Sequence, residues 1–199
     1  MSAAKLTIPP RDSWVQLAPG ASVHMDARLA EEWNKRKRDC REIRGNILAT
    51  CFEIEYLLDQ IIVEVLIPTA ASNTEGQNLL DELFLKGPVT SFRTKIDVLR
   101  KLRSRVPRLQ SLLPEDTITH LTSIRELRND FAHYPVAFEP AGNPPQQTLL
   151  PLLISRRGRF VLDDTFLEEH GKIFGSTHST LEAAVKSLKG VEPEASATA

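Results

Sequence analysis

The stretch ILATCFEIEYLLDQIIVEVL, Ile47 to Leu66, decides the fold class. Ile47, Cys51, Ile54, Leu58, Ile61 and Val65 recur at helical intervals and form one apolar stripe. Phe52, Tyr56 and Val63 form a second stripe on the opposite side. A helix apolar on two faces is either central in a bundle or meets a partner chain. Asp59 falls inside the second stripe, and an acid there is expected to have a partner.

The neighbouring segments are also helical. Upstream, ARLAEEWNKRKRDCREIRGN is rich in helix formers, with Ser22 or Asp26 as its cap. Gly45 is where a bend, or a break between two helices, is expected. Downstream, Pro68 ends the central helix and TAASNTEGQ reads as a loop. NLLDELFLK reads as a short helix closed by Gly87 and Pro88. Thr90 or Ser91 caps FRTKIDVLRKLRSR, with Phe92, Ile96, Leu99 and Leu102 inward, and Pro107 and Pro114 flank a short connection. EDTITHLTSIRELRNDFAH has a buried arc of Ile118, Leu121, Ile124, Leu127, Phe131 and Ala132. Tyr134 precedes Pro135 and is steered out of the helical region, so this helix ends at His133 or within a residue of it.

Beyond Pro135 the pattern changes. EPAGNPP reads as a loop, and QTLLPLLIS and RFVLD are β-compatible runs joined by the hairpin turn RRG. Pro151 demotes the first run to an edge strand. Asp163 or Asp164 starts a last amphipathic helix, and GVEPEASATA reads as a disordered tail. The fold class is therefore mainly α: an up-and-down helical bundle with a small C-terminal β-hairpin and a final helix. The expected division is a flexible arm at 1–21, the bundle at 22–135, the hairpin and last helix at 136–189 packed on the bundle, and the tail at 190–199.

The net charge of −1 gives no global attraction to nucleic acid or membrane, so such a partner needs a local patch. Cys40 and Cys51 on one helix lie about 16 Å apart, beyond the roughly 7 Å that a disulfide spans. No Cys/His cluster has zinc spacing, and no metal or cofactor is expected. The N-terminus lacks a signal-peptide run and the apolar stretches are short of a membrane span, so a reduced, cytoplasmic protein is the expectation.

No glycine-rich phosphate loop, HExxH, GxSxG or kinase signature is present. His24, His120, His170 and His178 lie in polar contexts and read as surface residues. The chemistry concentrates in RELRNDFAHYP, Arg125 to Pro135. Arg128 follows Leu121 by one heptad, within about 20° of it, and so points toward the apolar arc. A guanidinium there must snorkel, pair with an acid such as Asp59, or serve a ligand. Asn129 and His133 are four apart and share a face, so the amide can orient the imidazole. His133 sits in the last turn, where the helix dipole favours positive charge. Arg128 and His133 are about 140° apart around the helix. One small ligand meets both only if the helix end unwinds or a second chain contributes. Spacing alone leaves a second reading open, in which Asn129 and His133 cap the helix and Arg128 forms a buried ion pair.

Between Arg93 and Arg108 there are seven basic residues and one acid, Asp97. Arg93, Lys95, Arg100, Lys101 and Arg103 are the candidate nucleic-acid contacts, and Arg156, Arg157 and Arg159 at the hairpin turn add to the local excess. The competing reading is a solvated helix face balanced by nearby acids.

RNDFAH followed by an aromatic resembles the motif of the HEPN superfamily (higher eukaryotes and prokaryotes nucleotide-binding domains), with Arg128, a polar Asn129, and His133 after four intervening positions. FEIEYLLDQI, LFLKGPVTSFRTKIDVLRKL and the helix ending in RNDFAH resemble the branch near the mannitol operon repressor family, over roughly residues 40 to 135. The resemblance implies an up-and-down α-bundle that homodimerises. It further implies a metal-independent endoribonuclease in which Arg128 and His133 of two protomers line one cleft. There a ribose 2′-OH attacks the adjacent phosphodiester, with His133 as base or acid, Arg128 stabilising the phosphorane charge, and Asn129 positioning the imidazole. Toxin-type members of toxin–antitoxin pairs, which act with an antitoxin partner, often place a tyrosine two residues after the histidine. Here Tyr134 follows it directly. The mannitol repressor-like branch instead implies a non-catalytic module for transcription regulation that binds protein or nucleic acid.

Overall fold

The stretch from Ile47 to Leu66 belongs to one unbroken helix of 40 residues, α1 (Ala27–Leu66). A computed structural model describes residues 15–21, 23, 26–68, 74–80, 82, 85, 91–143 and 146–190. A short strand, β1 (Val15–Leu17), precedes α1, and α2 (Thr74–Leu80), α3 (Phe92–Arg105), α4 (Pro107–Leu112) and α5 (Glu115–His133) follow it. Three strands come next, β2 (Val136–Ala141), β3 (Thr148–Ser155) and β4 (Gly158–Val161), and α6 (Asp164–Leu188) closes the order. The fold is mainly helical, with an antiparallel β2-β3-β4 sheet before a final long helix.

Gly45 does not break α1, which runs through it. It is exposed, and an interior glycine costs a helix only about 1 kcal/mol, which a helix buried on both sides of it tolerates. Asp26 is the cap, its Oδ1 accepting from Leu29 N at 2.7 Å, while Ser22 lies outside the described residues. Asp163 starts α6 in the same way, accepting from Phe166 N at 2.9 Å. Ser91 caps α3 through Thr94 N, and Thr90, Gly87 and Pro88 lie outside the described residues. α2 begins at Thr74, inside the stretch expected to be a loop.

The described chain divides into two compact units. One holds the chain up to Leu48 with Leu127–His170, and the other holds Ala49–Glu126 with the chain from Gly171. Each takes segments from both sides of the expected boundary after residue 135.

The first unit contains the whole sheet, in the order β1-β2-β3-β4. The sheet is larger than the expected hairpin for two reasons. Val136–Ala141 forms β2, where a loop was expected from Glu139, and Val15–Leu17 pairs with β2 in parallel instead of belonging to a free arm. Pro151 does not sit on an edge: β3 lies between β2 and β4. Its missing donor still harms nothing. Ala18 N donates to Phe138 O, so Phe138 turns its hydrogen-bonding groups toward β1, and Pro151, paired with Phe138, turns its own toward β4. There Leu162 N donates to Pro151 O just past the last β4 residue, so the absent N–H falls where the ladder ends. Ala18, Ala137 and Leu152 form an apolar cluster on one sheet face, and Phe138 meets Trp33 of α1 edge-on at 4.9 Å.

The second unit buries Cys51, Ile54, Leu58, Ile61 and Ile62 of α1, Phe92, Ile96 and Leu99 of α3, Leu121 and Ile124 of α5, and Leu181, Ala184 and Val185 of α6. The first stripe of Ile47–Leu66 is thus the core stripe. In the second stripe, Phe52 and Tyr56 are each 59% exposed, while Asp59 is buried. Cys40 and Cys51 are both free and buried. No described helix is long and apolar enough to cross a membrane.

Candidate functional site

The RNDFAH motif occupies the last turns of α5, which ends at His133 as the Tyr134-Pro135 pair predicts. Tyr134 N still donates to Asp130 O at 2.9 Å, and two residues later the chain enters β2. Leu127 and Phe131 are buried and fix the rotation of this segment. That rotation leaves Arg128, Asn129 and Tyr134 half-buried and His133 exposed.

Arg128 Nη1 donates to Asn129 Oδ1 at 3.4 Å, a long contact. The amide therefore faces Arg128. His133 makes no hydrogen bond or ion pair with a described residue, so the expected orientation of its ring by Asn129 is not made within the chain. Arg128 and the histidine remain about 140° apart on a straight helix.

Three arginines gather at this end of α5. Arg44 of α1 donates from Nη2 to Ala132 O at 3.0 Å, filling one of the carbonyls that a helix C-terminus leaves open. Burial lowers the Arg44 pKa. Arg157, in the β3–β4 turn, donates from Nε to Asp130 Oδ2 at 2.8 Å. Its Nη2 reaches the same oxygen at 2.5 Å, and its guanidinium lies 5.6 Å from the Phe160 ring centre. The Asp130 side chain is only 7% exposed, so the ion pair compensates a buried charge. Arg156, beside it in the turn, is exposed and has no ion pair or hydrogen bond among the described residues.

Arg44 was not singled out from the sequence, and Arg157 was named only as one of the hairpin-turn cations, without its pairing to Asp130. A signal for Arg44 existed: it falls on the helical row Cys40, Arg44, Ile47, Cys51, a cation on an apolar stripe. Arg157 carried no such signal, because its partner is 27 residues away.

The other predicted residues lie in the second unit and behave differently. Asp59 holds Lys95, whose Nζ is 2.8 Å from Asp59 Oδ2 and 3.0 Å from Glu55 Oε1. Lys95 is 4% exposed and leaves the candidate nucleic-acid set, since a buried, doubly paired ammonium cannot reach a phosphate. Burial alone would lower its pKa, but the hydrogen bonds and charges of Asp59 and Glu55 outweigh it and the net shift is upward. Arg103 is held by Glu115 and, at 2.6 Å, by Leu113 O. Arg93 and Arg100 both pair with Asp97, at 4.0 and 2.8 Å. Of the five candidates, only Lys101 is exposed without a partner among the described residues.

Among the remaining histidines, His170 is half-buried, stacked on Phe166 at 4.1 Å with Nδ1 2.8 Å from Phe166 O. His120 and His178 are half-buried and His24 lies outside the described residues. A groove of about 230 Å³ is lined by Arg36, Asp39, Cys40, Pro151 and Asp164 among others. Burial, with the Asp39 charge, pushes the Cys40 thiol up to about 11 against a smaller opposing effect of Arg36, so it is no nucleophile at neutral pH. Among the described residues no three His, Cys, Asp or Glu side chains gather as a metal site requires. Comparison with family models, with curated proteins and with solved structures finds no match for the chain.

Proposed function

We propose that the chain is a HEPN-type protein that binds single-stranded RNA at the C-terminal end of α5 and cleaves it without a metal, using Arg128 and His133 of two protomers. The observation that carries this reading is the state of His133: exposed, uncommitted among the described residues, and set at a helix end where Arg44, Arg128, Arg156 and Arg157 collect.

The chemistry needs a base, an acid and a positive group near the phosphorus. The ribose 2′-oxygen forms a bond to phosphorus as its proton passes to an imidazole. The bond to the 5′-oxygen breaks and that oxygen takes up a proton. The products carry a 2′,3′-cyclic phosphate and a 5′-hydroxyl. His133 supplies the proton transfers, and Arg128 holds the charge on the non-bridging oxygens. The angle between Arg128 and His133 assigns them to different sides of the helix, so a second copy completes the set. Phe52 and Tyr56 of the second stripe, exposed on α1, offer an apolar face to a partner chain.

A second reading is favoured by one contact. Asn129 turns to Arg128 and not to His133, so the ring lacks the orienting partner that general acid–base catalysis uses. A module that binds RNA or a regulatory protein without cutting is then the outcome. Single-stranded RNA incubated in EDTA with wild type and with His133→Ala separates the two. Cleavage by wild type with a loss of about 10²–10⁴ in the variant supports the nuclease; no cleavage by wild type leaves the binding module. A strictly monomeric chain by light scattering would sink the two-protomer mechanism in either case.

A further inference from the structure

The β3–β4 hairpin does more than cover the core. β2 and β3 pair with Val136, the first residue of β2, opposite Leu153, and β3 runs on only two residues further, to Ser155. The hairpin turn, from Ser155 to Gly158, therefore lies beside the α5–β2 junction that carries His133. The Arg157–Asp130 ion pair ties that turn to α5 less than one helical turn before His133.

The two turn arginines have different jobs. Arg157 is committed: both nitrogens that reach Asp130 are spent, its guanidinium lies over Phe160, and its own N–H donates to Ser155 Oγ at 3.1 Å. Arg156 is exposed and carries no such commitment among the described residues. The helix end itself is unfavourable to an anion, since its open carbonyls and Asp130 are negative. Arg44 on the Ala132 carbonyl and Arg157 on Asp130 offset both. His133 and Arg156 face solvent at this junction, and Arg157 is exposed beside them while held by Asp130.

We propose that the Ser155–Gly158 turn is a phosphate-binding element flanking the His133 site. Arg156 contacts a backbone phosphate of single-stranded RNA. Arg157 is a positioning residue, acting through Asp130 to hold Arg156 in place. The inference rests on the RNA reading above and adds the contact that supplies affinity outside the motif.

The test is fluorescence anisotropy with a labelled 20-nucleotide oligouridylate whose riboses are all 2′-O-methylated, which binds without being cut. Wild type, Arg156→Ala, Arg156→Gln, Arg156→Lys, Arg157→Ala and the Arg156→Ala/Arg157→Ala double variant are titrated across a series of salt concentrations. Loss of one phosphate contact lowers the slope of log affinity against log salt by about 0.7 for a single strand. Arg156→Ala and Arg156→Gln are expected to weaken binding several-fold with that change of slope, and Arg156→Lys to restore most of it. Arg157→Ala is expected to weaken binding as much, and the double variant no more than either single one, because Arg157 acts only through Arg156. A merely stabilising Arg157 would instead give additive losses or none, which overturns its assigned role. Wild-type binding with an unchanged slope in both Arg156→Ala and Arg156→Gln overturns the inference and leaves the RNA reading standing. No binding by wild type overturns both.

Discussion

Two basic regions of this chain have similar compositions and opposite fates. On α3, six cations face a single local acid in the sequence, yet Lys95 is buried between Asp59 and Glu55, Arg103 is held by Glu115, and Arg93 and Arg100 share Asp97. At the end of α5, fewer cations gather, yet Arg156 and His133 stay exposed and uncommitted among the described residues. Local charge excess is thus a poor guide to available charge. What matters is which acids the fold delivers, and those come from distant segments.

The largest expected effect is on the buried side of this comparison. Lys95→Ala removes a cation only 4% exposed and leaves two carboxylates without it, and should cost about 3–5 kcal/mol in urea unfolding. The pH dependence follows. A lysine whose folded pKa lies above its unfolded 10.5 stabilises fully below that pH and loses its contribution as pH climbs through the folded value. Wild type should therefore lose stability above about pH 10.5 more steeply than Lys95→Met, measured by the same unfolding curves at stepped pH.

A middle effect lies at the site. Arg157→Ala leaves Asp130 buried and unpaired, and a loss of about 1–2 kcal/mol is expected, moderated because solvent reaches the 38% exposed Arg157 side chain. Asp130→Asn keeps a polar group without the charge and should cost less; an equal or larger cost would mean that the ion pair is not what holds the turn. The smallest effect returns to α3. Arg93→Ala and Arg100→Ala, whose charges are shared with Asp97, should change affinity for the 2′-O-methyl oligonucleotide by less than about twofold. A larger loss there, with Arg156→Ala silent, would reverse the comparison.

The helices were legible because their apolar positions repeat at helical spacing and their ends carry local signals, such as Asp26, Asp163 and the Tyr134-Pro135 pair. Gly45 misled because one exposed glycine is a small cost against a long buried stripe. The sheet was half legible. The β3–β4 hairpin has a local turn, whereas β1 and β2 pair residues more than a hundred positions apart, and no local pattern encodes that. The motif residues were found by spacing and by resemblance. The hydrogen bonds and ion pairs of the chain's buried cations were not, because Arg44 meets Ala132 across 88 residues and Lys95 meets Asp59 across 36. Polar pairing over such separations is settled only by the fold.

The most direct test of the central claim is the chemistry of the RNA ends. A single-stranded oligoribonucleotide incubated in EDTA with wild type and with His133→Ala, and analysed by intact mass, is expected to give 2′,3′-cyclic phosphate and 5′-hydroxyl fragments with wild type and almost none with the variant. Fragments in equal yield from both proteins, or an intact oligonucleotide with wild type, would contradict the account of His133 as the group that moves the proton.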